Sequence, residues 1–135
     1  MADYSNRQQG PISFRSRWGP VGTVTLSWSA NDPETLFLAK QIQEAFDAAN
    51  SQTRQAQWIL DAQPRIFSRA IYWGIKITGE STALVTAVRN AFSDAGIEYG
   101  TDAIPNILSD TPGMVVTPGA PPAALIWVGP KQPLQ

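Results

Sequence analysis

Hydrophobic and polar positions change period several times along this chain, and each change predicts an element. From Val21 the run GTVTLSWSA sets Val24, Leu26 and Trp28 against Thr23, Thr25 and Ser27, the period-two pattern of a half-buried strand. The period then lengthens. In SANDPETLFLAKQIQEAFDAAN, Asp32 is a natural N-cap, Pro33 suits the first helical position and Glu34 complements the helix dipole. Leu38, Ile42, Ala45, Phe46 and Ala49 recur at helical spacing, with Lys40, Gln41, Gln43, Glu44 and Asp47 mostly elsewhere. This helix is expected to cover one face of a sheet and to end at Asn50 and Ser51.

A weaker strand is predicted over residues 55–60, QAQWIL, and a stronger one in RAIYWGIKITG. In the latter, Ile71, Trp73, Ile75 and Ile77 share one face, and Tyr72, Gly74, Lys76 and Thr78 the other. The short stretch between Leu60 and Ile71 leaves no room for a crossover helix, so the two strands are expected to be antiparallel neighbours. That expectation argues against a doubly wound sheet. A second helix is predicted from Ser81 to Ala95, with Leu84, Val85, Val88, Ala91 and Phe92 on its apolar stripe. Gly96 stands where a left-handed residue closes a helix, and Phe92 and Ile97 occupy the positions whose contact accompanies a Schellman ending. Either Ile97 to Tyr99 or Ile104 to Leu108 offers an extra strand. After a Pro- and Gly-rich loop, AALIWVG at 123–129 forms the last strand, apolar on both faces.

The order β-α-β-β-α-β with an extra strand predicts an α+β two-layer sandwich of the ferredoxin-like kind, with two helices on one face of a mainly antiparallel sheet. The two strand-turn-helix stretches close alike, on Ala-Phe-Asp-Ala-Ala and Ala-Phe-Ser-Asp-Ala, which reads as pseudo-symmetry of the fold. Residues 1–20, with Gly10, Pro11, Gly19 and Pro20, are expected to be an N-terminal arm, residues 21–129 a single domain, and residues 130–135 a tail.

Composition narrows the chemistry. The chain has 135 residues and neither cysteine nor histidine, which removes Ser-His-Asp and Cys-His nucleophiles, thiolate and imidazole metal sites, and disulfides. A net charge of -1 argues against wrapping duplex nucleic acid or coating an acidic membrane. Charged residues make up only 16%, below the ~25% usual for soluble domains, and a surface so short of charge points to a partner. No apolar run approaches the ~18 residues that span a bilayer. MADYSNRQQG lacks the charged-then-apolar order of a signal peptide, so the expected location is a virion or the cytoplasm.

Asp32 and Glu34 follow the first strand, where acid-base or metal chemistry is conceivable, but an Asp-Pro-Glu opening is what a helix start asks for. Asp61 and Asp102 add carboxylates without a recognisable spacing. Glycine-rich phosphate loops are absent. No catalytic residue, cofactor site or metal site is therefore expected. A single-stranded RNA reader of the same element order stacks bases on strand aromatics, a role open to Trp28 and Tyr72, with Arg7, Arg15 and Arg17 as phosphate contacts. RAIYWGIKIT departs from the basic-Gly-aromatic core of that motif. The aromatics Trp18, Trp58, Tyr72 and Trp127 fit docking better. Val21, Ile59, Ile126 and Val128 are candidates for a second buried face, closed by the chain's own arms or by a neighbouring subunit.

At DPETLFLAKQIQEAFDAA, GIKITG, VRNAFSDAGI and LIWVGPKQP the chain resembles small α/β domains of uncharacterised bacterial and phage proteins. Those share a helix opening Asp-Pro-Glu, a helix closing Ala-Phe-x-x-Ala-Gly-Ile, and a final strand ending Val-Gly-Pro-Lys, over about residues 21–131 here. The resemblance implies the fold and the domain limits and carries no activity. Several of those proteins have transmembrane helices ahead of the domain where this chain has a polar arm, so it implies no membrane role.

The expected function is a non-enzymatic structural or protein-interaction component, most concretely of a phage or phage-like particle. It would bind copies of itself or another subunit through Arg7, Arg15, Arg17, Trp18, Trp58, Tyr72, Lys76 and Trp127. The alternative is a small-ligand or single-stranded nucleic-acid binding domain using the sheet face around Tyr72 and Lys76.

Overall fold

A computed structural model of the chain describes residues 21–30, 32–51, 57–67, 71–104 and 122–131. The elements are β1 (Thr23–Ser29), α1 (Pro33–Ser51), β2 (Ile59–Arg65), β3 (Ile75–Thr78), α2 (Thr82–Asp94) and β4 (Leu125–Val128). They build an α+β fold with one four-stranded mixed sheet in the order β2-β1-β4-β3.

Alternation along β1 and β4 sorts side chains onto two faces. Val24, Leu26, Ile75, Ile77, Ile126 and Val128 form one core with Leu38, Ala39, Ile42, Ala45, Phe46 and Ala49 of α1 and with Val85, Val88, Ala91 and Phe92 of α2. Both helices therefore lie on the same face, as their apolar stripes predict. Leu125 and Trp127 point to the other face and join Ile104 in a second, smaller cluster flanked by Phe67 and Tyr72. Val21, Ile126 and Val128, expected on that second face, belong instead to the helix-side core, and Ile59 is 62% exposed.

The sheet is not mainly antiparallel. β1 runs parallel to both β2 and β4, and only β3 is antiparallel to its neighbour β4. β2 and β3, expected as neighbours, are the two edges. Arg65 ends β2 at one edge and Ile75 opens β3 at the other, a separation of roughly 14 Å at ~4.8 Å per strand, which the length of chain between them can cover at ~3.3 Å per residue. The physical reason lies in β4. LIWV is buried along its whole length and must sit centrally, whereas polar ILDAQPR is exposed at most positions and tolerates an edge.

Each helix returns the chain beside the strand it left. β1-α1-β2 is a parallel crossover unit, and after α2 the chain forms a parallel bridge from Gly100 to Lys76 on β3. That bridge is what the described residues contain of the expected extra strand; residues 105–108 lie outside them. Phe46 meets Trp58 edge-to-face at 5.4 Å, and Phe92 meets Tyr99 likewise at 6.5 Å, so each Ala-Phe helix ending packs its phenylalanine on an aromatic residue just beyond the helix.

Candidate functional site

The carboxyl ends of β1 and β4 open into a cleft of about 440 Å³ lined by Ser29, Asp32, Phe67, Ile71, Tyr72, Trp73, Trp127 and Pro130. Sheets with parallel strands favour ligands there, because the strand-to-helix loops converge at that end. The volume lies within the usual ~300–1,000 Å³ of small-molecule sites.

Local bonding fixes each wall. The Thr35 hydroxyl, buried at the start of α1, lies 2.7 Å from the Ser29 carbonyl and 2.8 Å from the Asp32 carbonyl, sharing its proton between them. The Asp32 Oδ1 accepts the Glu34 N–H at 2.9 Å. Asp32 thus caps α1 as its position predicts, and the cap also sets its carboxylate at the rim.

The opposite wall depends on Gly74, whose φ of 72° is open to glycine at little cost. The chain turns there, the Gly74 N–H bonds to the Pro130 carbonyl at 2.9 Å, and the Gly129 N–H returns to the Gly74 carbonyl at 2.8 Å. Upstream of the turn, alternation with β3 is lost. Ile71 is 59% exposed and Trp73 faces the cleft, instead of both sharing the core face of Ile75 and Ile77. The floor is aromatic. Phe67 packs edge-to-face on Tyr72 at 5.1 Å and on Trp127 at 5.4 Å, and the Trp127 indole donates to the Tyr72 carbonyl at 2.9 Å.

Two polar groups lie buried on the same sheet face. Ser27 pairs with Trp127 across the β1–β4 ladder, and its Oγ finds no hydrogen-bond partner among the described residues. Arg65 ends β2 beside Ser29, and burial pushes its pKa below the ordinary guanidinium value.

The residues singled out from sequence do not converge on one site. Tyr72 and Trp127 belong to the cleft. Trp58 is 6% exposed and packs in the helix-side core, so it serves the fold. Lys76 sits on the second face of β3 and pairs with Asp102 at 3.2 Å, with Asp102 83% exposed, a surface ion pair of small worth. Arg7, Arg15, Arg17 and Trp18 lie outside the described residues. Sequence reasoning missed Ser29, Phe67, Ile71, Trp73 and Pro130 as neighbours; the signal available was Gly74, a turn residue placed directly after an aromatic pair.

Among the described residues, no group of three or more acidic side chains is placed to hold a metal ion, and no helix is long and apolar enough to cross a membrane. No family model, no curated protein and no solved structure matches the chain. The fold and the cleft define an α+β domain with a concave aromatic site at the carboxyl ends of its parallel strands.

Proposed function

We propose that this chain is a non-catalytic binding domain that takes a small, flat, apolar-bodied molecule into the cleft beside Tyr72, Trp73 and Trp127. The observation that carries the reading is the lining: four aromatic residues, an isoleucine and a proline, against Asp32 and Ser29. Apolar walls supply affinity, and a few fixed polar groups orient the guest. Asp32 accepts a hydrogen bond from a donor on that guest, and the aromatic edges pack against its ring. The test is calorimetric titration of the full chain with 2-naphthol, with glucose as a polar control of similar size. Binding of 2-naphthol alone, weakened at least about fivefold by Trp73→Ala, supports the reading. Equal affinities for the two probes, or no effect of Trp73→Ala, contradicts it.

A second reading, a self-associating interaction component, is favoured by a different observation, the outer edge of β2.

A further inference from the structure

β2 presents its outer backbone in a self-complementary order. The Ile59 N–H bonds to the Gly22 carbonyl and the Arg65 carbonyl accepts from the Ala30 N–H, so the odd-numbered residues of β2 make the ladder to β1. Leu60 and Ala62 therefore turn both N–H and C=O outward, and Pro64, which has no N–H, turns out its carbonyl. Proline stands at a position where its missing donor costs the ladder nothing. No described residue bonds to these outward groups. The opposite edge is different, because Gly100 already covers β3 through the bonds Ile77 N–H to Gly100 C=O and Gly100 N–H to Ile75 C=O.

We propose that two copies of this chain pair edge to edge through β2, antiparallel about a two-fold axis at Ala62. In that register the two Ala62 residues exchange N–H···O=C bonds, and each Leu60 N–H donates to the Pro64 carbonyl of the other copy. The proline thus acts only as an acceptor, the one backbone role open to it. Side chains agree. Asp61 faces Gln63 of the other copy, a carboxylate opposite an amide donor, and within one chain Gln63 Nε2 already donates to Asp61 Oδ2 at 2.8 Å. Ala62 on the axis is exposed and small, so the strands approach without a clash.

The neighbouring registers are poorer. Centring on Asp61 sets two like charges directly opposite. Centring on Gln63 keeps the same two one-way Pro64 pairs but loses the reciprocal Ala62 pair, and it sets two Gln63 amides opposite each other in place of Asp61 against Gln63. With one described edge covered and the other self-complementary, the association closes as a two-fold dimer instead of growing into a fibre.

The test is solution mass by light scattering over a hundredfold concentration range, combined with two variants. The full chain is expected at twice 14.7 kDa. Ala62→Lys, which sets two cations on the axis without touching the β1 ladder, is expected to return it to 14.7 kDa with an unchanged circular dichroism spectrum. Ala62→Cys places a thiol in a chain that has no other. An antiparallel hydrogen-bonded pair sets Cα atoms ~5.5 Å apart, with Cβ atoms too far apart for an unstrained disulfide but well within reach of a short bis-maleimide, which is expected to cross-link Ala62→Cys and hardly at all an exposed control, Ala83→Cys. A 14.7 kDa mass at every concentration overturns the proposal. So does a dimer that survives Ala62→Lys, or one in which Ala62→Cys cross-links no better than the control.

Discussion

Replacing Gly129 by alanine tests the strap that builds the cleft wall. A Cβ at Gly129 falls against the Tyr72 carbonyl oxygen, 3.0 Å from the Tyr72 carbonyl carbon and 2.7 Å from the Trp127 indole nitrogen. Those are the acceptor and donor of one 2.9 Å hydrogen bond, so the methyl group wedges the pair apart. Two costs follow. Overpacking a rigid backbone site costs about 1–3 kcal/mol, and leaving the indole N–H buried without an acceptor costs about 1–3 kcal/mol more. Taking about 3 kcal/mol in all, and a urea slope near 2 kcal/mol/M, the unfolding midpoint falls by about 1.5 M. The Trp127 indole N–H resonance shifts with it. Gly22→Ala is the matched control, because the atoms nearest its Cβ are the Leu84 methyls at 3.1 Å, the far end of a flexible side chain, and it costs under about 1 kcal/mol. Urea titration of both variants, with an NMR spectrum of the indole region, decides the matter. A Gly129→Ala midpoint within about 0.2 M of the parent, or one equal to that of Gly22→Ala, refutes the reasoning.

Three further substitutions probe other parts of the account. Ser81 caps α2, its Oγ accepting the Leu84 N–H at 3.3 Å, so Ser81→Ala is expected to cost about 1 kcal/mol and lower the melting temperature by about 4 °C in a thermal scan. The Ser27 hydroxyl is buried with no partner among the described residues, so Ser27→Ala is expected to leave stability unchanged or raise it by up to about 1 kcal/mol in urea; a loss above that reveals a bond or a ligand contact at that hydroxyl. Phe46 is fully buried against Trp58, and Phe46→Ala is expected to cost about 3–5 kcal/mol by denaturant titration, far more than Phe37→Ala at an exposed position of the same helix.

The helices were legible because local chemistry decides them. Ser81 caps α2, Gly96 takes a φ of 75°, and the bonds Ile97 N–H to Phe92 C=O and Gly96 N–H to Ser93 C=O complete the Schellman ending. Every member of the α1 stripe read from spacing is buried. β2 was legible only in part. The apolar run QAQWIL drew attention upstream, yet Trp58 enters the core just before the strand, and the strand itself continues through Asp61 and Pro64. An edge strand pairs on one side and can keep such residues, so its pattern is weak. Strand order was not legible at all, because nothing in residues 66–74 says how far they travel. The central place of β4 follows from burial on both faces, a demand that appears only once the other strands compete for it. The cleft was legible in fragments. Tyr72 and Trp127 stood out as aromatics, but bringing Phe67 and Trp73 to them required the turn at Gly74 and the β4 end together.

The most direct test of the central claim is a two-dimensional amide and indole NMR titration of the full chain with 2-naphthol. The account predicts saturable shifts confined to Ser29, Asp32, Phe67, Tyr72, Trp73 and Gly129, together with the indole signals of Trp73 and Trp127. Shifts that gather on the helices or the β2 edge, or none at millimolar probe, contradict it.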